Sequence, residues 1–375
     1  MRIAQIVASL ESRHGGPSRS VLGLATALAA AGHDVELLTT APGRQAAETP
    51  APNLAVRTFP RQWPASVVPS APLRAFLRAG TFDVIHHHGL WLRPLHYAHQ
   101  TAQRSGVPLV VSPRGMMAPW AWAHRRGKKR LAARWVHPGA LASVRGWHAT
   151  SEAEAEDIRR LGFTQPVCVA PNGVTLPTAA EATASREFWH NHCPELRDRP
   201  AALFYSRFHA MKRVIELIDL WLEQAPARWK LLLVGIPEQF SVKALRDYVY
   251  RAGGEDRVAV FDGTDRPPPY AAADLLLLPS HSENFGLVVA EALSHGLPVL
   301  ATDSTPWGGL DAHGAGHCVP WEEFGTALTG LLDEGPEGLR SRAAAARQWV
   351  QAEFAWEKSA GTLANFYEGL RARPA

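Results

Sequence analysis

Apolar residues in this chain fall in short blocks broken by polar and glycine-marked turns. Arg2 to Ser9 reads as a strand, Ser18 to Ala30 as a helix stopped at Gly32, and Asp34 to Thr39 as a second strand, the opening of a doubly wound sheet. A strand near Leu54 to Phe59 sits inside a proline-rich stretch from Ala41 to Pro72; the run from Phe82 to His88, then Val107 to Ser112, Gly146 to Thr150 and Val167 to Ala170, continue the sheet. From Leu176 to about Pro200 the composition shifts to alanine, threonine and charged residues, which suits a linker with an introductory helix. A second sheet then begins at Ala201. Its strands are Leu203 onward, Trp229 to Gly235, Val258 to Gly263, Leu275 to Leu278 and Val299 to Ala301, followed by helices over Leu339 to Phe354 and Trp356 to Leu370.

The most informative stretch is Asp274 to Gly296. Its apolar run Leu275 to Leu278 is a buried strand, Ser280 to Gly286 is a loop of turn and cap residues, and a helix from Gly286 stops at Gly296. The loop therefore leaves the carboxyl end of a strand, where open α/β sheets bind ligands. Glu283 lies in that loop and Glu291 about two turns into the helix. Carboxylates accept hydrogen bonds from hydroxyls and repel phosphate, whereas the amides of Phe285, Gly286 and Leu287 at the helix start present positive partial charge to a phosphate or sugar oxygen. A sugar joined to a diphosphate would use both. A polar loop followed by a solvated helix glutamate has the same spacing.

Other strand ends also carry chemistry. Gly15 and Gly16 form a turn beside a helix start, suited to close approach of a phosphate or simply to a tight turn. His86, His87 and His88 end one strand, with His86 and His88 on one side and His87 on the other, so the three do not converge as metal ligands and no acidic or cysteine partner has metal-site spacing. Arg114 occupies the next strand-end loop and suits a phosphate. Asn172 is either a turn former or a cleft-facing side chain. Arg207 and Lys212 straddle a strand-to-helix turn, where a planar fork and a point charge can converge on one diphosphate; surface charge is the plainer reading.

Composition narrows the class. With 375 residues, 46% hydrophobic and 20% charged, the chain has room for two domains with their own cores. No apolar run approaches a bilayer span, and the amino terminus reads as a strand rather than a signal peptide. Cys168, Cys193 and Cys318 are too few and too scattered for a disulfide framework or zinc motif, which points to the cytoplasm. The net charge of +4 is modest, but Arg125, Arg126, Lys128, Lys129, Arg130 and Arg134 crowd a segment that also holds Trp120, Trp122 and Trp135. Such a segment suits the anionic inner face of a cell membrane, an acidic lipid-linked molecule or a plain solvated helix face; no nucleic-acid motif accompanies it.

Glu283 to Glu291, flanked by Leu-Pro-Ser-His-Ser-Glu-Asn-Phe-Gly and Glu-Ala-Leu-Ser-His-Gly-Leu-Pro-Val, resembles the E-x7-E signature of the retaining glycosyltransferases of family four, the group 1 enzymes of bacterial polysaccharide and cell-envelope synthesis. The glycine loop, the histidine strand, Pro171-Asn172-Gly173-Val174 and the Arg207/Lys212 pair follow in family order, so the likeness spans nearly the whole chain. It implies the α/β GT-B fold: two Rossmann-like doubly wound domains facing across a cleft, residues 1–178 with a returning helix 356–375, and residues 179–355. It implies that Glu283 and His88 touch the donor sugar, Glu291 the nucleotide ribose, Arg207 and Lys212 the diphosphate, and Gly15 and Gly16 the diphosphate and the acceptor. Asn284, Phe285, Gly286, Leu287 and Gly235 would line the rest of the donor site, and Arg114 and Asn172 the acceptor side. The loop here reads Ala210-Met211-Lys212-Arg213 where the family usually has Pro-Lys-Lys-Gly, which makes Arg213 a competitor for the role of Lys212. The implied reaction is metal-free, cofactor-free transfer of a hexosyl group from a UDP- or GDP-linked sugar to a saccharide or lipid-linked saccharide, with retention. A GT-B nucleotide-sugar epimerase or a silent sugar-nucleotide binder is the alternative.

Overall fold

The computed structural model describes residues 1–11, 16–43, 46–124 and 126–372. The chain divides into two units, Met1–Gly173 with Trp356–Ala375, and Val174–Ala355.

The first unit is built on an eight-stranded sheet of β1 (Arg2–Val7), β2 (Asp34–Ala41), β3 (Ala46–Ala51), β4 (Leu54–Pro60), β5 (Val84–His88), β6 (Leu109–Ser112), β7 (Gly146–Ala149) and β8 (Val167–Val169), in the order β3-β4-β2-β1-β5-β6-β7-β8. All neighbours pair in parallel except β3 with β4. Parallel strands need both faces covered, and β1 shows how. Its Ile3 and Val7 face a core shared with Val21, Leu24 and Leu28 of α1 (Gly16–Ala30) and with Leu363 and Tyr367 of the carboxyl-terminal helix. Its Ala4 and Ile6 face Leu73 and Leu77 of α2 (Ala71–Ala79), Leu95 and Ala98 of α3 (Arg93–Ser105) and Ile158 of α6 (Glu152–Arg160). Two short helices, α4 (Pro119–Ala123) and α5 (Arg126–Trp135), lie between β6 and β7 and bury no residue completely. The carboxyl-terminal helix is held to this unit by Trp356, whose ring lies so close to Gly173 that a Cβ there would come within 2.4 Å of it.

The second unit has a six-stranded parallel sheet: β9 (Ala201–Phe208), β10 (Lys230–Pro237), β11 (Val258–Asp262), β12 (Leu275–Leu278), β13 (Val299–Thr302) and β14 (Gly316–Val319), ordered β11-β10-β9-β12-β13-β14. Alternate residues of β9 point to opposite cores, Ala201 and Leu203 to one and Ala202 and Phe204 to the other. The first core takes Trp189 from α7 (Ala179–His192), Val289 and Leu293 from α10 (Leu287–Ser294) and Val350 from α12 (Ala343–Glu353). The second takes Leu217 and Trp221 from α8 (Val214–Gln224), Leu245 from α9 (Val242–Arg251) and Leu328 from α11 (Trp321–Ser341). The remaining helix, α13 (Trp356–Ala372), is the one packed on the first unit.

Several expectations change. The introductory helix expected between Leu176 and Pro200 is present as α7, but it is no loose linker: it is opened by a capping box between Thr178 and Glu181 and fastened by Trp189 Nε1 donating to the Pro267 carbonyl at 2.9 Å. Its buried Trp189 makes it part of the first core of the second unit. The helix expected over Leu339 to Phe354 is split between α11 and α12, and α11 is itself kinked at Gly335, φ 72°, before Pro336. Gly235 lies inside β10 rather than at its end, and a Cβ there would sit 2.1 Å from the Ser206 carbonyl oxygen. Close approach of β9 therefore requires glycine at this position whatever else it does.

Candidate functional site

In both units the first strand of the α/β run has its neighbours on opposite sides: β1 between β2 and β5, and β9 between β10 and β12. Those are the points where an open sheet leaves a crevice at its carboxyl edge.

In the second unit the chain leaves β9 through His209, whose ring accepts from the Met211 amide at 3.0 Å and caps a short 3-10 turn, Ala210–Lys212. Lys212 is the buried end of that turn. Its Nζ donates to Glu283 Oε1 in the loop after β12, with the two side chains only 9% and 13% exposed. Ser280 Oγ donates to the same oxygen at 2.9 Å, while Thr302 and Ser304 hydroxyls fasten the Ser280 carbonyl from β13 and its following loop, each at 2.6 Å. The His281 amide donates to the Met211 carbonyl at 2.9 Å, so the loops after β9 and β12 are joined by backbone as well as by charge. Arg213 adopts φ 49°, sends its guanidinium over the Trp321 ring and donates through Nε to His281. Of the two adjacent cations, then, Lys212 is the one turned to Glu283.

Gly286, at φ 76°, begins α10, and a Cβ there would lie 3.2 Å from Trp307 Nε1. Phe285 is buried against Trp307 and Phe354, and its carbonyl accepts from that indole. Its side chain is core, which leaves only its backbone for a ligand. Asn284 is half-buried, and Leu287 opens the helix. Glu291 is the fifth residue of α10, a little over one turn in rather than two, and accepts from the Tyr270 hydroxyl. Arg207 behaves differently: it is 46% exposed and pairs with Glu238 at 2.8 Å. The structure thus joins Lys212 to Glu283 and engages Arg207 with another partner.

In the first unit Gly16 is the first residue of α1; Gly15 falls outside the described residues. His88 ends β5, buried, with Gln5 Oε1 at 3.3 Å from Nε2 and Arg114 Nη2 at 3.1 Å from Nδ1. A guanidinium can only donate, so Nδ1 accepts and Nε2 carries the proton to Gln5. Burial, then His86 and Arg114, hold His88 well below the usual imidazole range. Arg114 sits at φ 55°, donates also to Asn172 Oδ1 at 2.7 Å, and is pushed down to about 10 by burial, with Glu154 pulling the other way; it stays a cation at neutral pH. Glu154 accepts from the Gly115 amide at 2.7 Å and from the Thr150 amide and hydroxyl, and so anchors this loop to the start of α6. His88, Arg114 and Asn172 therefore form one constellation.

Beside it runs a chain that sequence reading did not contain. His148 Nε2 lies 2.9 Å from the Ala170 carbonyl, which can only accept. His148 Nδ1 must then accept from Ser112 Oγ at 2.6 Å, Ser112 accepts from His86 Nε2 at 2.7 Å, and His86 Nδ1 accepts from the Tyr367 hydroxyl at 2.6 Å. Every imidazole in it is neutral: burial pushes His148 down to about 3 and His86 well down, and raises Tyr367 well above its ordinary value. His87 turns away and donates from Nδ1 to the Gly89 carbonyl at 3.0 Å. No group of three or more histidine, cysteine or carboxylate side chains able to hold a metal ion occurs among the described residues.

Residues 14–176 match the model described as Glycosyltransferase Family 4, and residues 199–334 the one described as Glycosyl transferases group 1. The chain is 30% identical to the D-inositol 3-phosphate glycosyltransferase of Xylanimonas cellulosilytica over 96% of its own length and 93% of that protein's. It belongs to the family-four glycosyltransferases. The fold of this glycosyltransferase is GT-B. Sucrose-phosphate synthase from Thermosynechococcus elongatus superposes with a TM-score of 0.76 at 23% identity, covering 99% of both chains. Anabaena HepE, solved in complex with UDP and glucose, gives 0.76 at 19%, covering 98% of this chain and 100% of that one. The enzyme transfers a sugar from a nucleotide sugar.

Proposed function

We propose that this glycosyltransferase moves a hexosyl group from a UDP- or GDP-linked sugar to a hydroxyl of a saccharide or lipid-linked saccharide, with retention of anomeric configuration and without a metal or cofactor, in the synthesis of extracellular polysaccharide or another glycoconjugate. One observation carries the reading: Lys212 and Glu283 meet. A nucleotide sugar joins a diphosphate to a hydroxylated ring at one carbon, so a cation for the first and a carboxylate for the second belong side by side. Lys212 uses one of three ammonium protons on Glu283, and the others suit phosphate oxygens. Glu283 takes a donor-sugar hydroxyl, Glu291 the ribose, and the Gly286 and Leu287 amides the phosphate, while Arg207 adds a second cation. As the bond from the anomeric carbon to phosphate breaks, these donors stabilise the charge on the departing diphosphate. The acceptor oxygen bonds to the same face of that carbon and passes its proton to a leaving phosphate oxygen. Neutral His88 serves a sugar hydroxyl, and Arg114 with Asn172 the acceptor. UDP in the HepE structure supports the donor class.

Incubation with a panel of nucleotide sugars tests this. Nucleotide release only when an acceptor is added, and a product whose anomeric proton coupling matches that of the donor, are expected, unchanged by a chelator. An inverted product, isomerised sugar without transfer, or binding alone would each refute it.

We further propose peripheral contact with an anionic membrane surface through α4 and α5. Trp120, Leu131 and Trp135 are 55%, 60% and 65% exposed beside exposed Arg126, Lys128, Arg130 and Arg134. Lys129 is not part of this face, because its Nζ turns inward to the Ala121 carbonyl and the Trp91 ring; Arg125 lies outside the described residues. No described helix is long and apolar enough to cross a membrane. Charge reversal at Lys128 and Arg130 should weaken binding to phosphatidylserine vesicles at least tenfold, each basic residue contributing about 1 kcal/mol.

A further inference from the structure

The amino edge of the second sheet carries a separate concavity of about 670 Å³, within the range of small-ligand sites. Pro200, Asp274 and Pro298, the residues just before β9, β12 and β13, form its floor. Lys212 and Glu283 follow the other ends of β9 and β12, so the two places are opposite edges of one sheet. Its walls hold Arg186, Arg197, Arg199, Arg340 and Arg347 against two carboxylates, Asp198 and Asp274.

How the arginines are held matters more than their number. Arg199 is a structural clamp, giving its protons to the carbonyls of Ala227, Arg228, Trp229 and Asp256. Arg186 gives Nε to the Ala271 carbonyl at 2.8 Å, Arg347 gives Nη2 to the His295 carbonyl at 2.8 Å, and Arg197 gives Nη2 to Asn191 Oδ1 at 2.9 Å. Those acceptors are neutral, so the bonds orient the guanidiniums without cancelling their charge, and each fork keeps further N–H donors. Of these arginines, Arg340 is the one that faces a carboxylate among the described residues, Asp274 at 3.6 Å. The two histidines of the lining feel the arginines: burial lowers both, followed by Arg197 and Arg186 for His190 and by Arg347 for His295, where Glu181 acts in the opposite direction. Planar forks held open around a pocket are the arrangement that recognises phosphate.

We propose that this concavity is a second anion site, binding a small phosphorylated molecule on Arg186, Arg197, Arg340 and Arg347, apart from the donor site. Its inner wall includes Tyr270, whose hydroxyl also holds Glu291. Calorimetric titration of the whole protein with inorganic pyrophosphate tests it. The wild type should bind at two sites, and Arg186→Gln/Arg340→Gln should weaken one of them at least tenfold while nucleotide-sugar turnover stays within twofold. Both arginines are exposed, and Arg340→Gln alone, expected to weaken that site about threefold, serves if the double variant folds poorly. Pyrophosphate binding that is the same in the double variant as in the wild type, whether at one site or two, would overturn the proposal. Either result is independent of whether sugar transfer occurs.

Discussion

At the carboxyl edge of the first sheet, His86, Ser112, His148 and Tyr367 bury a hydrogen-bonded chain that carries no formal charge, whereas at the same edge of the second sheet Lys212 and Glu283 bury a cation against an anion. Both devices satisfy polar groups removed from water, but by different means. In the first, each neutral imidazole has one donor and one acceptor nitrogen and the Ser112 hydroxyl fills one role of each kind, so the direction of the whole chain is dictated by the Ala170 carbonyl at its end. Such a chain fixes shape and offers hydroxyl-matched donors and acceptors without a strong field. In the second, little holds the pair except charge and the Ser280 hydroxyl, and the field is what a diphosphate requires. Removing a member should therefore cost either unit stability, but only at the second edge should it also cost turnover.

Lys212→Ala is the strongest test. Loss of a donor that stabilises developing charge lowers turnover by about 10²- to 10³-fold. It also leaves Glu283 largely buried and unpaired, so stability should fall by about 3 kcal/mol in denaturant titration. Adding Glu283→Gln should recover most of the stability and none of the turnover. Wild-type turnover in Lys212→Ala would remove the distinction between the two edges.

His86→Phe is next. The phenyl ring fits the space but strands the Tyr367 hydroxyl and the Ser112 oxygen, an expected loss of about 3 kcal/mol read as a lower denaturation midpoint. Turnover of the folded fraction should change less than in Lys212→Ala. A stability loss under about 1 kcal/mol would mean the chain is not closed as described.

Much of this contrast could be anticipated, and the exceptions have physical causes. Strand ends, the glycine-started α10 and both glutamates stand out because buried parallel strands are continuous apolar runs and a loop after them is marked by serine, asparagine and glycine. The choice of Lys212 over Arg213 is not visible in residue type; it depends on Arg213 taking a left-handed conformation that swings its guanidinium to Trp321. Tyr367 lies 281 residues from His86 and reaches it only because α13 returns to the first sheet, so no local pattern could pair them. The edge strand β3, Ala-Ala-Glu-Thr-Pro-Ala, has almost no β-forming residues and owes its conformation to antiparallel pairing with β4. Helix α11 hides behind Gly335-Pro336, a pair that reads as a stop.

Acid sharpens the comparison at smaller amplitude. Burial pushes His87 and His148 down to about 3, so below their ordinary value near 6.5 the unfolded chain takes up protons that the folded first unit refuses. Their contribution is complete above about pH 6.5 and is lost as the pH falls toward 3, at up to about 1.4 kcal/mol per pH unit for each histidine. His87→Asn keeps a donor for the Gly89 carbonyl and removes one titrating group. Its stability should therefore decline more shallowly than wild type between pH 6 and 4, by about 1 kcal/mol per pH unit. Identical slopes would show that His87 is accessible to protons in the folded unit.

The smallest effect concerns Arg207, which shares its strand end with the donor-site loop but is half-exposed and paired with an equally exposed Glu238. An exposed pair of this kind contributes under about 1 kcal/mol, so neither Arg207→Ala nor Glu238→Gln should move the melting temperature appreciably. Catalysis separates the two roles open to the arginine. If it is a surface partner of Glu238, both variants keep wild-type kinetics. If it contacts diphosphate, Arg207→Ala should raise the donor KM about tenfold, the scale of one charge-assisted hydrogen bond. Glu238→Gln should then leave KM unchanged or lower it, because the guanidinium has lost its competitor. The second outcome would extend the charged edge from the Lys212–Glu283 pair outward to solvent; the first would confine it to that pair.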